Sequence, residues 1–299
     1  HHPDLDNVVT FNRSRFAATF YQPRVARDLI HWARDLRSRR YDIVIDLQGL
    51  ARSGLLSWIT GAAQRIGFAN AREFAHLAYN RKHTIDPGLH TVDRMLSLLE
   101  SEGYATHLEM RLHVGDPDRQ WRDRLLGDVP YICLAPTARW RCKCWPIDRY
   151  IQLAQHLLRD RLAGDRIVIL AAPAERPQVQ PLLAALRPTR RVLLPTTTVG
   201  QMMALLSRTR LLVCNDSAPL HIAVAFNRPI AAIFGPTDPA LIGPYQRDDA
   251  VLRPRQVDAK INYRRHKNDQ TLIAQIGVDA VYERVVDQLR NSQSTTGSP

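Results

Sequence analysis

RLLVCNDSAPLHIAVAFNRPIAAIFG, residues 210–235, holds one full cycle of a layered α/β fold: an apolar run at 210–215, a polar break, an apolar stretch at 217–226 with Pro219 in its first turn, and a second apolar run, PIAAIFG, at 229–235. Short apolar runs bounded by turn residues read as buried strands, and the stretch between them is long enough for a helix. Upstream the cycle repeats. YICLAP (131–136), RIVILAA (166–172) and RVLLP (191–195) read as strands, with helices expected at 147–160, 176–186 and 199–207. Five apolar runs separated by helices make a parallel sheet covered on both faces. Thr198 and Gln201 stand in capping-box spacing at the start of one of those helices.

The first third follows the same grammar less cleanly. Asn7 to Phe11 is a short β-rich run, 22–39 is helical in pattern, and YDIVIDLQGL (41–50) is an apolar strand ending in a polar turn. A helix is expected from about Ser53, a short strand at RIGF (65–68), and a helix at 90–103, where Val92, Met95, Leu96 and Leu99 fall at helical spacing. HVGDPD (113–118) reads as a linker, a final helix at 278–290, and NSQSTTGSP (291–299) as a disordered tail. The expected organisation is two Rossmann-like domains, 1–114 and 115–277, facing a cleft. The first of them is expected to be missing the opening strand and helix of its class, since HHPDLDNVVTF reads as a loop running into a strand.

Composition narrows the function classes. With 299 residues, 45% hydrophobic and 23% charged, this is a folded globular chain of about two domains. No apolar run approaches the roughly 18 residues of a membrane span, and no signal-peptide pattern is present. The formal charge is +12, and only Lys82, Lys143, Lys260 and Lys267 are lysines, so arginine dominates. Either this is a solvated arginine-rich surface or the partner is acidic. Cys133, Cys142, Cys144 and Cys214 form no CxxC pair, so they read as reduced thiols in a cytoplasmic enzyme, and CKC at 142–144 is a weak metal signal.

In open parallel sheets the chemistry sits in the turns after the strands. CNDSAPLHIA (214–223) ends a strand and begins a helix, so Asp216 or Ser217 is placed to cap it beside free backbone N–H groups that suit a phosphate. The plainer alternative is capping alone, with His221 packed on the next loop. FGPTDPALIGPY (234–245) brings Thr237 and Asp238 to the same edge, and APTARWRCKCWP (135–146) brings Arg139, Arg141 and Lys143, cations able to neutralise a departing diphosphate without a metal. In the first domain, DLQGLARSG (46–54) places Gln48, Gly49 and Arg52 at a strand end. Arg65, Arg72, Arg81 and Lys82 follow, a basic surface suited to an acidic acceptor, although Arg81 and Lys82 individually read as solvated charges.

DLQGLARSG, RIGF, AREFAHLAYNRKH (71–83), HTVDR (90–94) and EGY (102–104) together resemble the lipopolysaccharide heptosyltransferases of glycosyltransferase family 9, and the detail at 71–83 is most like the heptosyltransferase I branch. KCWP (143–146), NDSAPLHIAVAFNRP (215–229) and FGPTDPALIGPY agree, so the resemblance covers about residues 1–290. It implies a GT-B fold and an inverting, metal-independent transfer that needs no cofactor. ADP-L-glycero-D-manno-heptose would be held by Lys143, Glu175, Asp216, Ser217, Ala218, His221, Thr237 and Asp238. The acceptor, Kdo of a nascent lipid A core, would meet Gln48, Gly49, Arg52, Arg65 and Arg72. The same resemblance implies a cytoplasmic enzyme, peripheral at the anionic cytoplasmic face of the inner membrane, with no nucleic-acid partner.

Two departures stand out. Ser217-Ala218-Pro219-Leu220 replaces the family's Thr-Gly and the residues after it, and the family's N-terminal glycine-aspartate motif, which carries the general base, has no counterpart. The catalytic aspartate is therefore expected upstream of His1, with Asp46, Asp216 and Asp238 as the internal alternatives. A heptosyltransferase II-type or other nucleotide-sugar transferase, a catalytically silent fragment and, least favoured, an anion or nucleic-acid binder are the competing readings.

Overall fold

A computed structural model describes residues 2–16, 22–160, 166–255 and 267–295. Two compact units divide between Leu108 and Glu109. In the first, α1 (Arg13–Phe16) and α2 (Pro23–Ser38) precede β1 (Ile43–Asp46), α3 (Ala51–Thr60), β2 (Gln64–Phe68), β3 (Arg81–His83) and α4 (Thr91–Ser101). The second runs α5 (Asp116–Leu126), β4 (Tyr131–Ala135), α6 (Ile147–Arg159), β5 (Arg166–Ile169), α7 (Arg176–Leu186), β6 (Val192–Leu193), α8 (Val199–Arg208), β7 (Leu212–Asn215), α9 (Ala218–Ala225), β8 (Ile230–Ile233), α10 (Pro239–Ile242), β9 (Val251–Leu252) and α11 (Val278–Thr295). Among the described residues, no helix is long and apolar enough to cross a membrane.

The second unit is the α/β sheet that the apolar runs predict, with a sixth strand, β9, added. All pairings are parallel and the order is β6-β5-β4-β7-β8-β9. β4, β7 and β8 are buried at every residue. One face packs Tyr150, Leu153 and Leu157 of α6, Leu182 of α7 and Val285 of α11, and the other packs Leu205 of α8 and Leu220 of α9. Each such buried aliphatic side chain contributes about 1.5–3 kcal/mol relative to exposure. Strands added after β4 run outward in one direction until β6, and the chain then returns to the other side of β4 to lay down β7. Loops leaving β4 and β7 therefore diverge at a topological switch point, where open sheets form a ligand crevice.

The first unit is a parallel sheet of three strands, β1-β2-β3, with Ile66, Phe68, Ile85 and Leu98 at its buried centre. Several expectations are corrected here. Asn7 to Phe11 is not a strand: no neighbouring strand meets it, and Phe11 packs edge-on against Trp32 of α2 at 5.0 Å while Trp32 Nε1 donates to the Thr10 carbonyl. HVGDPD is only partly a linker, because Asp116 and Pro117 open α5, a Pro-and-acid helix start. Helix α11 continues through Thr295, so 291–295 of the expected tail is helical, and 296–299 lie outside the described residues.

Candidate functional site

Asn215, the last residue of β7, is fully buried, and its Oδ1 accepts from the Trp145 backbone N–H (3.0 Å) and the Tyr150 hydroxyl (3.3 Å). One side chain thus ties the loop after β7 to the loop after β4. Trp145 is itself anchored by its indole N–H on the Ile276 carbonyl (2.9 Å), which fixes the KCWP turn and aims Lys143 inward. There Lys143 Nζ donates to Asp216 Oδ2 at 2.6 Å, with side chains only 13% and 7% exposed. Burying either charge alone is costly, so each makes the other tolerable.

The expectation that Asp216 or Ser217 caps the next helix is overturned. Ser217 occupies the N-cap position of α9 but makes no side-chain cap bond; its hydroxyl donates back to the Asn215 carbonyl (3.3 Å), and the Asp216 carboxylate is drawn off by Lys143. The first turn of α9 thus has no side-chain cap, which leaves the positive end of its dipole for an anion.

A cavity of about 560 Å³ opens at this point, lined by Lys143, Asp216, Ser217 and Ala218 on one side and Glu175 on another. Glu175 Oε2 accepts from the Thr137 hydroxyl (2.8 Å) and the Ala172 N–H (2.9 Å), joining the loops after β4 and β5. Leu170, Val199 and Met202 give the same cavity an apolar wall, and the Thr198–Gln201 capping box, with bonds of 3.1 and 2.9 Å, holds the start of α8 beside it. A polar cationic end and an apolar wall in a volume of this size match a nucleotide diphosphate. Arg139 lines the rim and stacks on Trp140 at 5.1 Å, while Arg141 is turned to Gln270 (3.0 Å) in an adjoining cavity of about 500 Å³.

Three expected donor residues are not brought to that cavity. His221 is exposed on α9. Asp238 caps α10 through the Ala240 N–H (3.2 Å) and pairs with Arg253 (3.4 Å). Thr237 is buried with no partner for its Oγ1 among the described residues. The loop of Thr237 and Asp238 follows β8, one strand beyond the switch point. It still reaches the Lys143 loop: a Cβ on Gly235 would stand 2.9 Å from the Cys142 carbonyl, so only glycine permits the approach. The four cysteines are buried and in no disulfide, and burial pushes the Cys133 and Cys144 thiols up to about 12 and about 11. Among the described residues no group of three or more His, Cys, Asp or Glu side chains is gathered in a metal-holding arrangement.

In the first unit, Asp46 at the end of β1 is buried. Its Oδ1 accepts from the N–H groups of Gln48 (2.8 Å) and Gly49 (3.1 Å), and its Oδ2 accepts from the Tyr79 hydroxyl (2.6 Å). Burial first, then the bond to Asp46, pushes the Tyr79 phenol far up. Gly49 has a left-handed φ of +66°, and a Cβ on Gly67 would lie 2.4 Å from the Tyr79 ring, so DLQG, RIGF and Tyr79 are parts of one device. Sequence reasoning missed Tyr79, although it stands inside the quoted AREFAHLAYNRKH run. Gln48, Arg52 and Arg72 are exposed around this turn, and the Arg72 N–H donates to the Gly49 carbonyl (3.1 Å). Arg65 is instead a strut, its guanidinium donating to the carbonyls of Ala78 (2.9 Å) and Ala62 (2.6 Å). Arg81 is not a free solvated charge, since it pairs with buried Glu102 (2.7 Å).

The lipopolysaccharide heptosyltransferase 1 of Pseudomonas aeruginosa is 29% identical over 84% of this chain and 70% of its own length, and that of Escherichia coli K12 is 27% identical over 85% and 80%. Among solved structures, the E. coli heptosyltransferase WaaC with ADP superposes with a TM-score of 0.74 at 24% identity, covering 96% of this chain and 85% of that one, which establishes the GT-B fold. The family model of glycosyltransferase family 9 (heptosyltransferase) matches residues 29–272, most of the chain. Parallel sheets, a nucleotide-sized cavity at the switch point and this match converge: the chain belongs to glycosyltransferase family 9 and is a glycosyltransferase.

Proposed function

We propose that this protein moves L-glycero-D-manno-heptose from ADP-heptose to Kdo of the lipopolysaccharide inner core, with inversion and without a metal ion, at the cytoplasmic face of the inner membrane. The observation that carries this reading is the buried Lys143–Asp216 pair beside the uncapped start of α9, in one cavity with Glu175. The apolar wall and Glu175 suit adenosine, and Lys143 with the α9 N–H groups suits the diphosphate. In the transfer, the acceptor hydroxyl oxygen bonds to the anomeric carbon while the bond to the diphosphate oxygen breaks. The electron pair leaves on ADP, where Lys143 and the helix start hold the developing charge, and the hydroxyl proton passes to a general base. Among the carboxylates, Asp46 accepts hydrogen bonds on both oxygens, whereas Glu175, Asp216 and Asp238 are each held through one. On the acceptor side, exposed Gln48, Arg52 and Arg72 suit the carboxylate of Kdo.

The test is calorimetry with ADP, then mass spectrometry of products from ADP-heptose and two acceptors, one ending in Kdo and one already bearing a heptose. Saturable ADP binding and transfer to the Kdo-terminated acceptor, undiminished by EDTA, is the expected result. Transfer only to the heptosylated acceptor would assign a heptosyltransferase II-type role, and no ADP binding would remove the donor assignment. Steeply salt-dependent binding to DNA without transfer would favour the anion-binder alternative.

A further inference from the structure

An apolar groove of about 260 Å³ lies between α3 and the turn at 73–78, wholly within the first unit. Four large side chains border it in the open: Leu55 and Trp58 are 54% and 59% exposed, and Phe74 and Leu77 are 77% and 72% exposed. Scattered apolar residues on a surface are ordinary, but a contiguous group of four marks an interaction site. The backbone is shaped to present it. Glu73 and Phe74 both sit in the left-handed region, at φ 54° and 60°, which bulky residues rarely adopt. Gly54 lets the turn press against the helix, since a Cβ there would stand 3.0 Å from the Ala75 carbonyl.

We propose that this face docks on an anionic lipid bilayer. The charges around it select that occupant. Arg52, one turn before Leu55 on α3, and Arg72, next to the turn, are both exposed and outnumber the one carboxylate that lines the groove, Glu73, which accepts from the Ala51 N–H (3.2 Å). A second copy meeting this face about a twofold axis would bring those arginines towards one another. Lipid phosphates would neutralise them as Trp58, Phe74 and Leu77 enter the headgroup boundary, where aromatic side chains are favoured. The turn that carries Arg72 is bonded to Gly49 of the acceptor-side loop, so docking here would bring that loop to the membrane surface. The inference rests on the lipid-linked acceptor proposed above.

Sedimentation of the full chain with vesicles of phosphatidylethanolamine and phosphatidylglycerol tests it, with pure phosphatidylcholine vesicles as reference. The expected result is binding to the anionic vesicles that exceeds the reference and weakens with salt. Phe74→Gly with Leu77→Gln should lower partitioning by about tenfold or more. Phe74→Gly also relieves the left-handed backbone and Leu77 is exposed, so this variant keeps its fold, which a thermal melt verifies. Transfer to a deacylated, soluble acceptor should be unchanged in the variant, and transfer to the vesicle-embedded acceptor should fall. Absent vesicle binding, equal binding by the variant, or a wild-type dimer that the variant dissociates would overturn the proposal, the last by making the face a self-association interface. Vesicle binding without heptose transfer to either acceptor would sink the functional reading and leave the docking surface standing.

Discussion

β7 and β8 are buried along their whole length, whereas β1 shows Ile43 to solvent and buries only its last residue, Asp46. The contrast extends to whole units. In the second, six strands lie between two layers of helices, and apolar burial fixes the sheet and helices from which the cavity loops, joined by Asn215 and Glu175, emerge. In the first, a three-stranded sheet with a small core relies on polar ties: Asp46 with Tyr79, and Glu102 with Arg81 and His83. The difference teaches that the proposed donor half is preformed by its packing, while the acceptor half is held by a few bonds that single substitutions can remove. The basic excess also divides unevenly. Basic residues outnumber acidic ones by only 14 to 11 over residues 4–108, so an acidic acceptor there would meet particular arginines rather than a general positive field.

The largest effect should come from the donor side, with some loss of stability from the Asp216 carboxylate left buried and unpaired. Lys143→Ala is expected to lower kcat by about 10²–10³, the magnitude of a lost charge-stabilising donor, and to weaken ADP binding by about tenfold or more. Adding Asp216→Asn, which removes the carboxylate left unpaired, should recover stability but not rate. If the melt of Lys143→Ala collapses instead, the pair is structural and the preformed-site half of the comparison fails.

Glu102→Gln probes the other half. Burial opposes ionisation of Glu102, but hydrogen bonds from His83 and Arg81 outweigh it and hold the carboxyl below its usual range. A depressed folded pKa contributes stability that is present above the unfolded value of about 4.3 and is lost as pH falls through the folded value. The first unit should therefore loosen in the wild type as the pH falls below the unfolded value and through the depressed folded one. Glu102→Gln should cost about 1.5–3 kcal/mol at neutral pH and flatten that dependence. Hydrogen exchange resolved by unit would show it, and an unchanged acid profile would remove the polar-tie account.

Gly67→Ala should cost about 1–3 kcal/mol, because its Cβ would press into a Tyr79 ring that the bond to Asp46 holds in place. Faster proteolysis within residues 4–108 and unaltered ADP affinity are expected; a drop in ADP affinity would show the units less independent than their cores suggest. Smallest is Thr198→Ala, losing one capping box in the well-buried unit at about 1 kcal/mol. A loss of melting temperature beyond that scale would mean that apolar burial is not what chiefly holds the helices of the second unit.

What was legible in the sequence follows the same division. Strands in the second unit were readable because burial on both faces makes them continuous apolar runs, but β9, only Val251–Leu252, is too short to form a pattern. β3 is Arg81-Lys82-His83 and carries no apolar residue, so no periodicity marks it; its pairing with β2 alone makes it a strand. Asn7 to Phe11 erred in the opposite sense, since β-rich composition becomes a strand only where a neighbour offers hydrogen bonds.

By itself, the sequence determined the alternation of strands and helices, the parallel second sheet, the loops that would bear chemistry and the family resemblance, because apolar spacing and short motifs are local properties of the chain. Only the tertiary structure decided which polar groups meet. Lys143 and Asp216 are far apart in sequence, and their contact depends on β4 and β7 lying side by side. Likewise the sequence places Asp46 at a strand end, but only the fold brings Tyr79 and two backbone N–H groups onto its oxygens. Strand order and hydrogen-bond partners are set by packing across long loops, and no residue carries that information alone.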